Sequence, residues 1–398
     1  MSEFAFNLLD IDDDLLDLLD IADLDHAQKY LAELTAWSRA LHTPRVAESL
    51  SAIEGELNNI NDAFQRLSDA EGETQLQLVR DYAIALFDYF DKRSRWADWL
   101  PYGIRGRNAC ERLGDPTSRQ RSLPTLRNQT GIAYRMGGLR REALAEFAEA
   151  LRETDDPGIA ADAHINLCDI YRLQKKLDQA KAHAADSLKL AREAGDRNRE
   201  AKALEYQGLS FLAEYEYGQA IDCYEQALTL RREVGNIARI AMVYTQLAYA
   251  LSLRGSPADL ERALELYKQS AKIDIQLENW QAVARFWGDI AVTYNRLGHY
   301  QNAIENSELA LHRNREIGFL RGVGLNCIRL TESCWRLGDD EKAFGYARQA
   351  LEHIDKIDAF DWAMTSAGFC ESLRALLPKA EPSLAQQLSA FLESRCTS

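Results

Sequence analysis

Apolar and polar positions along this chain follow a helical period, and the pattern itself recurs about every 40 residues. An aromatic and apolar run ends in a Gly-bearing turn. A second run follows with small residues at fixed offsets. Tyr134-Arg135-Met136-Gly137-Gly138 is followed by Ala143, Phe147 and Ala150. Tyr294-Asn295-Arg296-Leu297-Gly298 is followed by Ala303, Ser307 and Ala310, and Cys334-Trp335-Arg336-Leu337-Gly338 by Ala343, Ala347 and Ala350. Self-similarity at this period predicts stacked supersecondary units, each packing on its neighbours, in place of one globular core.

Aligning the small residue of each second helix picks out Ala97, Ala143, Ala180, Ala220, Ala263, Ala303 and Ala343. The one clear insertion, Ser256-Pro257-Ala258-Asp259, falls in a turn, where it leaves the stack undisturbed. Gly138, Gly218, Gly255, Gly298 and Gly338 are expected in the turns within pairs or at their flanks, as left-handed caps. Gly114, Gly195, Gly235 and Gly318 are expected in the turns between them, as left-handed helix caps. The repeats span residues 74–356. Residues 357–398 read as capping helices, interrupted by Pro378 and Pro382, and residues 25–73 as a helical hairpin with a break at Pro44.

Residues 1–24 differ from the rest. The first 25 residues hold nine acidic side chains and no Lys or Arg. Leu8, Ile11, Leu15, Leu18 and Leu19 have helical spacing, but the charges repel, so the segment is expected to be marginal unless docked. Leu15, Leu16, Leu18 and Leu19 are its candidate docking residues, and a disordered acidic tail is the alternative reading.

The net charge of −15 argues against nucleic acid as a direct partner. No apolar stretch reaches the ~18 residues of a membrane span, and the N-terminus lacks a signal-peptide pattern. Seven cysteines without CxxC spacing predict a reducing, cytoplasmic setting, with Cys168, Cys327 and Cys334 as core thiols. The seven histidines form no metal-ligand motif, so no metal and no cofactor are expected; His164 reads as a packing residue. No nucleophile elbow, kinase signature or dinucleotide fingerprint is present, and no catalytic residue is assigned.

The repeat resembles the tetratricopeptide repeat. Leu204, Gly208, Phe211, Ala220, Tyr224 and Ala227 fill its small and large positions, as do Trp287, Ala291, Tyr294, Ala303 and Ala310. The period exceeds 34 residues, and joints such as Ala194-Gly195-Asp196-Arg197 resemble the extended repeats of kinesin light chains, G-protein-signalling modulators and bacterial peptide-sensing regulators. Phe90–Leu100 is similar to the first repeat of the sensor arrays of STAND ATPases. The chain has no GxxxxGK[ST] loop, so it is not such an ATPase by itself.

The resemblance implies an all-α fold, a right-handed α-solenoid of antiparallel helix pairs, and a non-catalytic scaffold or adaptor that binds a peptide or protein surface. The alternative is a ligand- or peptide-responsive sensor, of bacterial type, acting through a protein partner. The first helix of each pair is expected to line the groove, with Asn128, Arg135, Asn166, Asp169 and Arg172 toward the start. Arg285, Asp289, Asn295, Arg296, Arg329 and Arg336 stand at the far end, and Thr245, Gln246 and Tyr249 lie between. Arg285, Arg296, Arg329 and Arg336 are expected to cluster, opposite in charge to the N-terminal segment. No oligomeric state is assigned.

Overall fold

The structure is a computed structural model that describes residues 13–396 apart from 42, 44, 68–71 and 358; side chains are described from residue 24, apart from those of 359–361 and 363–365. Pro44 therefore lies outside the described residues, as do the side chains of Leu15, Leu16, Leu18 and Leu19. The described chain is 18 α-helices with short turns and no strand. None of these helices is long and apolar enough to cross a membrane. Two compact units meet at Tyr206 and Gln207, inside one helix.

In the first unit, α1 (Asp13–Ala40) runs through the expected boundary at residue 24 and packs on α2 (Val46–Leu67) and α3 (Glu73–Lys92). Tyr82 Oη donates to the Ala27 carbonyl at 2.7 Å, tying α3 to α1 inside the core. Helix α3 pairs with α4 (Trp96–Leu113), α5 (Leu123–Met136) with α6 (Arg140–Glu153), and α7 (Pro157–Leu173) with α8 (Leu177–Glu193). The boundary falls in α9 (Arg197–Ala213). The second unit contains α10 (Tyr217–Val234) and the pairs α11 (Ile237–Arg254) with α12 (Pro257–Gln276) and α13 (Trp280–Arg296) with α14 (Tyr300–Glu316). It continues with α15 (Leu320–Leu337), paired with α16 (Asp340–His353), and ends in α17 (Ala359–Leu376) and α18 (Pro382–Arg395).

The small residues do what their positions predict, with one correction. Ala143, Ala180, Ala220, Ala263, Ala303 and Ala343 are fully buried where the second helix meets the first. Ala97, aligned with them, is exposed. The left-handed residue of the preceding turn is Ser94, and five positions later stands Trp99, where the other units without an insertion place Ala. Trp99 is fully buried and its Nε1 donates to the Ala83 carbonyl at 2.9 Å. Gly103 leaves the room that its ring occupies. A large residue in the second helix is thus compensated by a missing side chain one turn on.

The turns also correct one expectation. Eight of the nine expected glycines have positive φ, but Gly218 does not; it lies within α10, and Tyr215 takes the left-handed conformation in that turn. Lys175 and Glu278 do the same in two further turns. The turn geometry is fixed by the packed helices on either side, so a non-Gly residue is held there at a conformational cost.

The insertion is a helix start. Ser256 Oγ accepts from the Asp259 amide at 3.2 Å, and Pro257 occupies the first helical position of α12. Arg254, at the end of α11, closes the turn by donating to Asp259 at 2.8 Å.

Cys168, Cys327 and Cys334 are buried thiols, with Cys110 and Cys223. Cys370 and Cys396, however, are joined in a disulfide between α17 and the residue after α18. Their separation of 26 residues carries no motif; the pair exists because the two helices fold back on each other.

Candidate functional site

The first helices of successive pairs lie side by side: α5 beside α7 in the first unit, α13 beside α15 in the second. In two pairs, close approach comes from a glycine on the first helix and an aromatic ring on the second. Gly131 faces Phe147, and Gly208 faces Tyr224, at distances that leave no room for a methyl group.

In the second unit, α11, α13 and α15 form a connected groove. One cavity of about 400 Å³ is lined by Gln246, Tyr249, Arg285, Asp289, Arg296 and Arg329, with Met242 and Val292 as apolar wall. An adjoining space shares Arg285, Asp289 and Arg329 and extends to Arg321 and Asn326. A third joins Asn295, Arg296, Arg329, Glu332 and Arg336. The four arginines expected to cluster therefore lie along one groove, but they are not equivalent.

Arg285 is exposed, with its guanidinium 5.1 Å from the Phe286 ring centre. Arg329 lies between Asp289, 3.9 Å away, and Asn326 Oδ1, to which it donates at 3.4 Å. Its guanidinium occupies the space a side chain at Gly288 would need. Arg296 donates to the Ser252 carbonyl and, at 3.3 Å, to Ser252 Oγ. It thus places positive charge on the C-terminal end of α11, where free carbonyls attract it. Arg336 pairs with Glu371 of α17 at 2.7 Å and stacks on Trp335. Asn295 Oδ1 accepts from Ser333 Oγ at 2.9 Å.

Two further groups tune this surface. The Glu332 carboxyl is pushed above its ordinary range by burial, which Arg336 opposes and Glu371 reinforces. Its carboxylate sits in the space left by Gly368. Gln246 Oε1, on the cavity wall, is buried with no hydrogen-bond partner among the described residues.

Three of the five predicted residues of the first unit are buried, against the expectation that they are exposed: Asn128, Asn166 and Asp169 are each less than a tenth accessible, while Arg135 and Arg172 are half-buried. They hold neighbouring helices. Asn128 Nδ2 donates to the Ile159 carbonyl at 3.1 Å, joining α5 to α7. Asp169 accepts from Arg135 of α5 at 2.9 Å and from Arg172 of α7 at 2.7 Å. The spacing gave their face but not their partners. Asn128 Oδ1, Asn166 Nδ2, Arg135 Nε and Arg172 Nε still lack partners among the described residues.

Sequence reasoning missed Gly288, Met242 and Asn326. Their signal was only their place on the same helix face. Trp280, at the first position of α13, is 36% accessible and carries the Arg313 guanidinium 4.3 Å above its ring.

Models of the tetratricopeptide repeat match residues 159–233 and 284–316. No curated protein matches the sequence. Among solved structures, the chain is similar to a STAND protein with a tetratricopeptide repeat sensor from Pyrococcus horikoshii. The identity is 16%, the TM-score 0.60, and the match covers 79% of this chain and 52% of that one, so the chain spans about half of that protein. The quorum sensor NprR from B. thuringiensis, in its apo form, is 16% identical over 81% of this chain and 86% of its own, with a TM-score of 0.58. A Rap protein complexed with competence and sporulation factor is 15% identical over 91% of this chain and 99% of its own, with a TM-score of 0.53. At these identities the likeness is one of fold. The chain carries tetratricopeptide repeats, stacked as an all-α solenoid of helix pairs.

Proposed function

We propose that the protein is a non-catalytic interaction module and that the groove on α11, α13 and α15 takes an acidic, extended peptide segment of a partner. The observation that carries this reading is the groove itself. Helices α13 and α15 direct Arg285, Arg296 and Arg329 to one cavity, beside an apolar wall and a buried amide oxygen of α11, Gln246 Oε1, lacking a partner among the described residues. A backbone N–H would satisfy that oxygen, and carboxylates would meet the guanidinium groups. Met242 and Tyr249 offer contact to apolar side chains between the acids. The helices already hold this surface in place, so binding orders little of this partner.

The acidic, leucine-bearing segment 1–24 has the composition such a groove would select, and its counterpart in a second copy is a natural first probe. A labelled synthetic peptide of residues 1–24, titrated into the full chain and read by fluorescence anisotropy, tests the reading. Binding should weaken with salt and fall at least about tenfold in Arg285→Glu. Equal affinity for wild type and Arg285→Glu, together with equal affinity for a basic control peptide, would remove the acidic-ligand reading.

The likeness to NprR and Rap brings a second reading, a ligand-responsive regulator acting through a protein partner. Both readings use the same groove. They separate by small-angle scattering: ligand-induced compaction favours the regulator, and an unchanged radius favours the scaffold.

A further inference from the structure

We propose that His164, His183 and Asp186 form a transition-metal site of the zinc type that bridges α7 and α8. The ligands come from two helices, which is why no sequence motif announces them. His164 stands on α7, while His183 and Asp186 stand three positions apart on one face of α8. The two Nδ1 atoms face each other at 2.9 Å. Asp186 Oδ2 lies 3.8 Å from His164 Nδ1, and all three ligand atoms lie within 4.8 Å of one another.

These distances approach those around a tetrahedral ion. Metal–nitrogen bonds of about 2.0–2.1 Å separate two ligand atoms by about 3.3 Å. The rings need to part by a few tenths of an ångström, and the Asp186 side chain, 59% exposed, needs only a small swing. Tyr171 stacks parallel to the His183 ring, with centroids 5.3 Å apart, and fixes its plane. Burial holds both imidazoles below their ordinary range, so both offer lone pairs at neutral pH. A hydrogen bond between the rings uses one Nδ1–H and leaves Asp186 facing a neutral pair. A divalent ion satisfies all three groups, with one position open to water.

Two imidazoles and one carboxylate form a borderline donor set. It selects Zn²⁺, Co²⁺ or Ni²⁺ over Mg²⁺ and Ca²⁺, which require oxygen ligands. Among the described residues, no other histidine joins this set. Bound metal would clamp the two helices of this pair and stiffen the first unit without taking part in any reaction.

The test is competition for Zn²⁺ between a chromophoric chelator and the full-length protein after dialysis against a chelator. One equivalent should bind to wild type. Affinity should fall on the order of 100-fold in His164→Gln and in His183→Gln, and less in Asp186→Asn, whose exposed position leaves the fold intact. Absence of zinc binding to wild type at micromolar concentration overturns the proposal, and so does undiminished binding in the histidine variants. If circular dichroism shows those variants unfolded, imidazole ¹⁵N spectra of the wild type decide. Zn²⁺ should shift the Nδ1 resonances of His164 and His183, and shifts confined to other histidines overturn the site.

Discussion

A methyl group placed on Gly131 would lie 2.5 Å from Cε1 of Phe147. This contact sets how closely α5 approaches α6, and Gly208 with Tyr224 repeats it in the second unit. Gly131→Ala is therefore expected to destabilise the protein. Overpacking costs about 1–3 kcal/mol, against a gain of up to about 1 kcal/mol in helix propensity. Urea unfolding followed by circular dichroism should show a lower midpoint with an unchanged slope. An unchanged or higher midpoint would mean that the ring moves aside freely.

Lys175 holds φ at 59° in the turn between α7 and α8, in a place where other units have Gly. Left-handed backbone costs an ordinary residue roughly 1–2 kcal/mol, part of which Gly returns through its larger unfolded-state entropy. Lys175→Gly should stabilise by up to about 1 kcal/mol, seen as a rise in the thermal midpoint of the first unit. Loss of stability would show that the Lys175 side chain contributes more than its backbone costs.

The Asp259 carboxyl is held down at about 2, first by its hydrogen bond with Arg254 and also by Ser256, against the opposing effect of burial. An unfolded Asp titrates near ~3.9. The folded value is the lower one, so this group's contribution is complete above about pH 4. It is lost as the pH falls through about 4 toward 2. Asp259→Asn should destabilise at neutral pH and flatten that part of the stability–pH curve. Parallel curves for wild type and variant would show that the pair contributes no pH dependence.

Gly288 makes room for the Arg329 guanidinium between Asp289 and Asn326. Gly288→Ala should push Arg329 out of that position and weaken the acidic peptide by several-fold. Because the displaced group is the end of a flexible side chain, thermal stability should change by less than about 1 kcal/mol. A titration showing unchanged affinity would place Arg329 outside the binding surface.

Burial pushes the thiols of Cys110 and Cys327 up to about 12, and those of Cys223 and Cys334 to about 11. The thiolate is the reactive form, so the native protein should react slowly with a disulfide reagent at pH 8. Denaturation without reductant should release five thiols, and reduction all seven. Seven thiols without reductant would show that Cys370 and Cys396 are not joined.

The sequence by itself determined the fold class, because the period of small and aromatic residues is a local property. Ala143, Ala180 and Ala303 are spaced by helix geometry, and each is buried where that spacing requires. The turns were legible wherever Gly carried the left-handed conformation. They were not legible at Ser94, Lys175, Tyr215 and Glu278, where packed helices on both sides impose it. The register of the first repeat was also missed, since Trp99 fills with Gly103 the place that Ala holds elsewhere.

Only the tertiary structure decided what the polar residues do. Spacing placed Arg135, Asp169, Arg285 and Arg329 on one face of their helices, but a partner 34 or 40 residues away in the chain is set by how one pair stacks on the next. That stacking turned Arg135 and Arg172 into a clamp on Asp169 and left Arg285 facing the groove. It also joined Cys370 to Cys396 and set His164 against His183, contacts for which no local pattern exists. Helical periodicity fixes which way a side chain points; the chain's return to itself fixes what it meets.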